Sequence, residues 1–135
     1  MKQDQLVHVA VGVITNDQEE VLVALRPLDA HQGGLWEFPG GKVERLESVQ
    51  EALSRELEEE LGIRILESAP FIQVRHDYAD KSVLLDIWNI GSFSGSPSGR
   101  EGQEIQWRKI MGLKAADFPL ANAQIIRALQ SAVKD

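Results

Sequence analysis

Apolar residues recur along this chain at two different periods. In "LVHVAVGVI", Val7, Val9, Val11 and Val13 fall at every second position, the repeat of a strand. The β-rich run "VLVALR" follows after the polar stretch "TNDQEE", so the two together read as a hairpin. "PLDAHQGGLWEFPGG" is punctuated by Pro27, Gly33, Gly34, Pro39, Gly40 and Gly41 and reads as a long loop. The period then lengthens. Val49, Ala52, Leu53, Leu57 and Leu61 share one arc at about 100° per residue, which predicts a helix over 48–61 terminated by Gly62. Three more strand candidates come next, "IRILESAPFIQVRHDY", "SVLLDIWNIGSF" and "EIQWRKI", with a polar and mobile-looking loop, "SGSPSGREGQ", before the last. A final helix, "AQIIRALQSAV", has Ile125, Ile126, Leu129 and Val133 on one side. The expected fold is α/β (α+β), with a mixed sheet and helices on both of its faces. Trp107 is expected in the core, and His8 and His76 in structural roles.

Composition narrows the function. The 135 residues suit one domain, 1–135, with a sizeable core. No run approaches the roughly 20 apolar residues of a membrane span, and "MKQDQLVHVAVGVI" is not a signal peptide, so no membrane partner is expected. The absence of cysteine excludes disulfides and thiolate metal sites, which suits a cytoplasmic protein. A net charge of −7 argues against a nucleic-acid polymer, whose affinity comes largely from Lys and Arg on phosphates. A small phosphorylated ligand remains open if cations mediate, and the protein is expected to be a monomer.

One feature of the first helix resists a purely structural account. "RELEEELG" packs Glu56, Glu58, Glu59 and Glu60 into little more than one turn, although like charges three or four apart repel. Projection puts Glu56 and Glu60 inside the apolar arc and Glu59 at its edge, while Glu58 points the other way. A solvated face explains Glu58 and fails for the other three. Burying unpaired carboxylates costs several kcal/mol each, so a cation should neutralise them. Oxygen-preferring divalent ions, Mg²⁺ first and Mn²⁺ second, fit such a cluster. Arg55 is the other cation at hand.

The wider segment "GKVERLESVQEALSRELEEELGI" resembles the signature of the Nudix hydrolases without a mismatch, with Gly41, Glu47, Arg55, Glu56, Leu57, Glu59, Glu60, Gly62 and Ile63 in the specified places. The resemblance implies a Nudix-type α/β/α sandwich in which Glu56, Glu59 and Glu60 hold Mg²⁺ against the substrate's phosphates. It implies the Gly40 carbonyl as a further ligand and Glu101 as a fourth carboxylate. Glu56 would also engage the attacking water, with Glu47 and Arg55 in support. Lys42 either touches a phosphate or the water, or is a surface lysine.

Substrate choice is expected from other segments. "LRPLDAHQGGLWEFPGGK" and "DFPLANAQII" look like the MutT-type 8-oxo-dGTP diphosphatases, which sanitise the nucleotide pool. That likeness implies Arg26 and His31 near the phosphates or sugar, and Phe38, Pro39, Gly40 and Gly41 along the nucleotide pocket. Asn122 is the expected base reader. Guanine presents acceptors at O6 and N7, and oxidation at C8 turns N7 into a donor. A carboxamide has one donor and one acceptor side by side, so it matches the oxidised base and mismatches the normal one. Asparagine is also a favoured N-cap for the last helix, and the MutT likeness is what favours base reading. Lys81 departs from that pattern, where arginine is expected near the base, and lysine lacks the planar fork. Leu46 stands where glycine is common. The rival reading is a Nudix pyrophosphatase for CTP or oxidised pyrimidine nucleotides, and a non-catalytic nucleotide sensor ranks below it.

Overall fold

The computed structural model describes residues 6–30 and 32–134. Its strands are β1 (Leu6–Ile14), β2 (Glu20–Leu25), β3 (Trp36–Glu37), β4 (Gly40–Lys42), β5 (Arg64–Asp77), β6 (Ser82–Ser94) and β7 (Ile105–Lys109). The helices are α1 (Val49–Leu61) and α2 (Ala123–Lys134), with three short 3₁₀ turns over 110–122. Two sheets form, one ordered β4-β1-β6-β5 and the other β3-β2-β7.

The expected hairpin does not form. β1 and β2 touch through a single antiparallel bridge, Thr15 to Val21, and then part into different sheets. The reason lies in the two edges of β1. One pairs antiparallel with β4 and the other runs parallel to β6 from Leu6–Ser82 to Ile14–Ile90. Parallel partners need a long crossover, so this pairing leaves no local signal.

β1 is buried on both faces. Val11 and Val13 join a core with Ile125, Ile126 and Leu129 of α2. Ala10 and Ile14 point the other way, into a core with Leu53, Leu57 and Leu61 of α1. β2 alternates likewise, with Val21 and Val23 in the first core and Leu22 in the second. The sheets therefore lie between two helices, the α/β/α sandwich expected. Each fully buried leucine of α1 contributes about 2 kcal/mol relative to exposure, and this anchoring sets where the glutamates of the same helix face.

Two further expectations need correction. Trp107 is 36% exposed and joins neither core, because β7 is the outer strand of its sheet. The polar loop after β6 is fastened to α1 by hydrogen bonds from Ser98 and Arg100 to the carbonyls of Leu61 and Glu60. His8 has a structural partner, since its Nε2 lies 2.9 Å from Asp86, a buried carboxylate that also accepts from Trp88 and Gln73.

Candidate active site

The acidic helix begins at a capping box. Ser48 Oγ accepts from the Glu51 N–H at 3.0 Å, and the Glu51 carboxylate accepts from the Ser48 N–H at 2.8 Å. Gly62 ends it in the left-handed conformation, φ 73°. Between these stops, the Arg55 guanidinium ties the preceding loop to the helix. It donates to Glu47 at 2.7 and 3.0 Å, to Glu56 at 2.8 Å and to the Lys42 carbonyl at 3.1 Å. The Arg55 hydrogen bonds, with a lesser part from the Glu44 N–H, hold the Glu47 carboxyl down at about 2. Glu47 in turn, more than Glu56, raises the Arg55 pKa. Glu56 lies flat against Gly41, where any Cβ would collide with its carboxylate.

Glu60 is pushed up to about 9, by burial first, then by hydrogen bonding with and the charge of Glu56, and then by the charges of Glu37 and Glu101. Four carboxylates thus share one electrostatic neighbourhood. Glu59 sits at its rim, its side chain 55% exposed and 3.8 Å from Arg55, and Glu58 is exposed, as the projection indicated. Among the described residues no three acidic or imidazole groups already converge as a ready ligand set. The donor chemistry still fits a hard divalent cation. A half-buried carboxylate that keeps its proton to high pH beside other carboxylates is a group that a divalent charge would ionise.

Beside this cluster is a cavity of about 460 Å³, of the size that holds small ligands. Val9, Val11, Val83 and Leu85 give it an apolar floor, and Gly40 connects it to the segment beneath Glu56. Arg26, Gln32 and Glu37 also line it, together with Tyr78, Asp80 and Lys81 of the β5–β6 turn and Pro119, Ala121 and Asn122. Arg26 donates to Glu37 at 2.7 Å. Desolvation nevertheless outweighs that partner, and the Glu37 pKa is raised. Phe38 is both wall and core, buried and stacked on Phe118 with centroids 5.2 Å apart. Asn122 ends the 3₁₀ turn 120–122, where its N–H donates to the Pro119 carbonyl at 2.9 Å. No described residue hydrogen-bonds its side chain, so the carboxamide is not spent on capping α2 and remains at the cavity wall.

The structure thus gathers Arg26, Phe38, Gly40, Lys81 and Asn122 around one cavity, with Glu47, Arg55, Glu56, Glu60 and Glu101 in the adjoining network. Other expected residues lie elsewhere. Pro39 is buried away from the cavity, its carbonyl accepting from the Gly12 N–H at 2.8 Å. Gly41 faces Glu56 instead of the cavity, and Lys42 is exposed and lines none of it. His31 lies outside the described residues. Glu37, Gln32, Tyr78 and Asp80 were not anticipated. Glu37 had a signal, an acidic residue between aromatics in "LWEFPGG".

Known proteins resemble this chain in sequence and fold. The NUDIX domain profile matches residues 10–128. The chain belongs to the NUDIX domain family. It is 38% identical to an Escherichia coli 8-oxo-dGTP diphosphatase, over 90% of this chain and 95% of that one. It is 36% identical to an Escherichia coli CTP pyrophosphohydrolase, over 90% of this chain and 87% of the other. A solved MutT structure, from the pair Aliivibrio salmonicida and Vibrio cholerae, superposes with a TM-score of 0.80 at 40% identity, covering 95% of this chain and 99% of that one. NUDIX hydrolases generally need a divalent metal, which agrees with the acidic network described above. No described helix of this NUDIX protein is long and apolar enough to cross a membrane.

Proposed function

We propose that this NUDIX protein hydrolyses 8-oxo-dGTP to 8-oxo-dGMP and pyrophosphate, with Mg²⁺ as its cation and Mn²⁺ as a substitute. The observation that carries the substrate is the Asn122 carboxamide, free of described partners on the wall of a cavity that Gly40 and Glu37 also line, beside the acidic network. Its amide donates to O6 of the oxidised base while its oxygen accepts from N7–H. Unmodified guanine offers an acceptor at both positions, and leaving one half of the amide mismatched in a confined site is costly.

Glu56, Glu59 and Glu60, with Glu101 and the Gly40 carbonyl, are the groups proposed to hold the cations. Bound there, a divalent ion supplies charge neutralisation for the triphosphate and a more acidic water. Glu56 engages the attacking water, held in orientation by Arg55, which Glu47 anchors from the opposite side. Water adds at the β-phosphorus, the bond to the α–β bridging oxygen breaks, and the monophosphate leaves with that oxygen. Arg26 lines the same cavity, and the role proposed for it is contact with the phosphates or sugar. Residues 1–135 are proposed to act as a single cytoplasmic domain and a monomer.

The test is a substrate panel with Mg²⁺, comparing 8-oxo-dGTP, dGTP and CTP under identical conditions. A kcat/KM for 8-oxo-dGTP at least roughly tenfold above the other two is expected. A higher value for CTP would instead place the chain with its CTP pyrophosphohydrolase relative.

A further inference from the structure

The loop between β6 and β7 holds the acidic helix by its backbone. Ser98 N–H donates to the Leu61 carbonyl and Arg100 N–H to the Glu60 carbonyl, each at 3.0 Å, while Arg100 Nη1 reaches the Glu58 carbonyl at 3.3 Å. The Glu60 and Leu61 carbonyls belong to the last turn of α1, where a helix leaves its acceptors without internal donors, whereas the Glu58 carbonyl also accepts from the Gly62 N–H at 2.9 Å. Those contacts already give the Glu60 and Leu61 carbonyls a donor each. Gln103 adds something different. Its Nε2 donates to the Glu60 carbonyl at 3.0 Å, and its Oε1 accepts from the Glu101 N–H at 2.9 Å.

One planar amide therefore spans the main chains of two residues that both contribute carboxylates to the site. The turn around it is tight. Gly102 N–H donates to the Gly99 carbonyl at 3.0 Å, and a Cβ on Gly99 would collide with the Gln103 carbonyl. Gln103 is half-buried while Glu101 is exposed, so the exposed carboxylate depends on its neighbour for a fixed place.

We propose that Gln103 is a positioning residue for the cation site, holding Glu101 beside Glu60 so that one divalent ion meets both carboxylates. The inference rests on the metal-scaffold reading of α1 given above. The side-chain chemistry is specific. A carboxamide offers a donor and an acceptor side by side on one rigid plane. Glutamate would accept from the Glu101 N–H but could not donate to the Glu60 carbonyl, and asparagine is one methylene short.

The experiment uses the full chain and reads two quantities without nucleotide. They are Mn²⁺ affinity, by electron paramagnetic resonance, and hydrogen exchange at the Glu101 amide in metal-free protein. For Gln103→Ala, exchange at Glu101 should accelerate and Mn²⁺ should bind about tenfold or more weakly, the usual effect of removing a residue that orients a ligand. Arg100→Ala, which removes only the guanidinium contact to the Glu58 carbonyl, should leave Mn²⁺ affinity within about twofold. If Gln103→Ala does not fold, Gln103→Met keeps the length without the amide and reads the same quantities. Parent-like Mn²⁺ binding in the Gln103 variant overturns the inference, as does an equal loss in Arg100→Ala, which would make loop order in general the cause. Should the parent itself bind no Mn²⁺, the metal-scaffold reading falls and this inference with it, whereas binding by the parent with no effect of Gln103 sinks the inference alone.

Discussion

Arg55 grips Glu47 with two parallel hydrogen bonds, Nε to Oε2 at 2.7 Å and Nη2 to Oε1 at 3.0 Å, while its remaining nitrogen holds Glu56 at 2.8 Å. A guanidinium can serve both carboxylates at once because its donors form a planar fork. An ammonium cannot reproduce that geometry. Arg55→Lys should therefore lower kcat roughly 10- to 100-fold with KM changed less than about threefold, since charge-assisted hydrogen bonds to a group acting in the transition state are lost. Steady-state kinetics on 8-oxo-dGTP checks this, and a change confined to KM would show that Arg55 serves binding. The Glu47 pKa is depressed in the fold, so its contribution to stability is present above the ordinary carboxylate pKa and is lost as pH falls towards about 2. Acid unfolding well above pH 5 would need another cause.

Glu60 behaves in the opposite sense. Its folded pKa is raised to about 9, so the folded state retains a proton that the unfolded chain releases near pH 4.5. Without a divalent ion, its contribution to stability is full below about pH 4.5 and fades as pH rises towards 9. Mg²⁺ requires the ionised carboxylate and should displace that proton. The expected result is a larger Mg²⁺-induced rise in Tm at pH 6 to 9 in Glu60 protein than in Glu60→Gln, with proton release on Mg²⁺ addition at pH 7 in weakly buffered solution. No proton release would mean that Glu60 is not a ligand.

Asn122→Ala should remove discrimination more than chemistry. A fall of roughly 30- to 100-fold in kcat/KM for 8-oxo-dGTP is expected, with the dGTP value within about threefold of the parent, because only the oxidised base satisfies both halves of the amide. Equal losses on the two substrates would assign Asn122 to packing.

Leu46 adopts φ 68° and is 97% exposed. A leucine in the left-handed region costs about 1–2 kcal/mol, and this one recovers nothing by burial. Leu46→Gly removes that strain and gives part of it back as chain entropy. A gain of about 0.5–1 kcal/mol is expected, a rise of roughly 2–5 °C in Tm, with kcat/KM unchanged. Thermal unfolding decides it, and a lower Tm would show that Leu46 has a contact worth more than its strain.

Much of the site was legible because its signals are local. Helical projection separated Glu56 and Glu60 from Glu58, and the structure puts the first two partly inside and the third in solvent. Glycine at 62 marked the end of the helix correctly because caps act through neighbouring backbone groups, and the start differs by one residue because Ser48 is the N-cap. The strands β3 and β4 escaped notice within a glycine-rich segment, being two and three residues long. β4 consists of residues that usually mark loops, and it is a strand because β1 passes so close that a Cβ at Gly40 would strike the Ala10 carbonyl.

The amino-acid sequence by itself determined the helices, the strands with clear alternation, and the carboxylate turn with its cation requirement, since each follows from residues within a few positions of one another. Only the tertiary structure decided that β1 leaves β2 for β6, that Glu37 joins the acidic neighbourhood, and that Gln103 bridges Glu60 to Glu101. Those relations join residues tens of positions apart, and they depend on which surfaces meet when two cores close on the opposite faces of one strand. No periodicity along the chain encodes that.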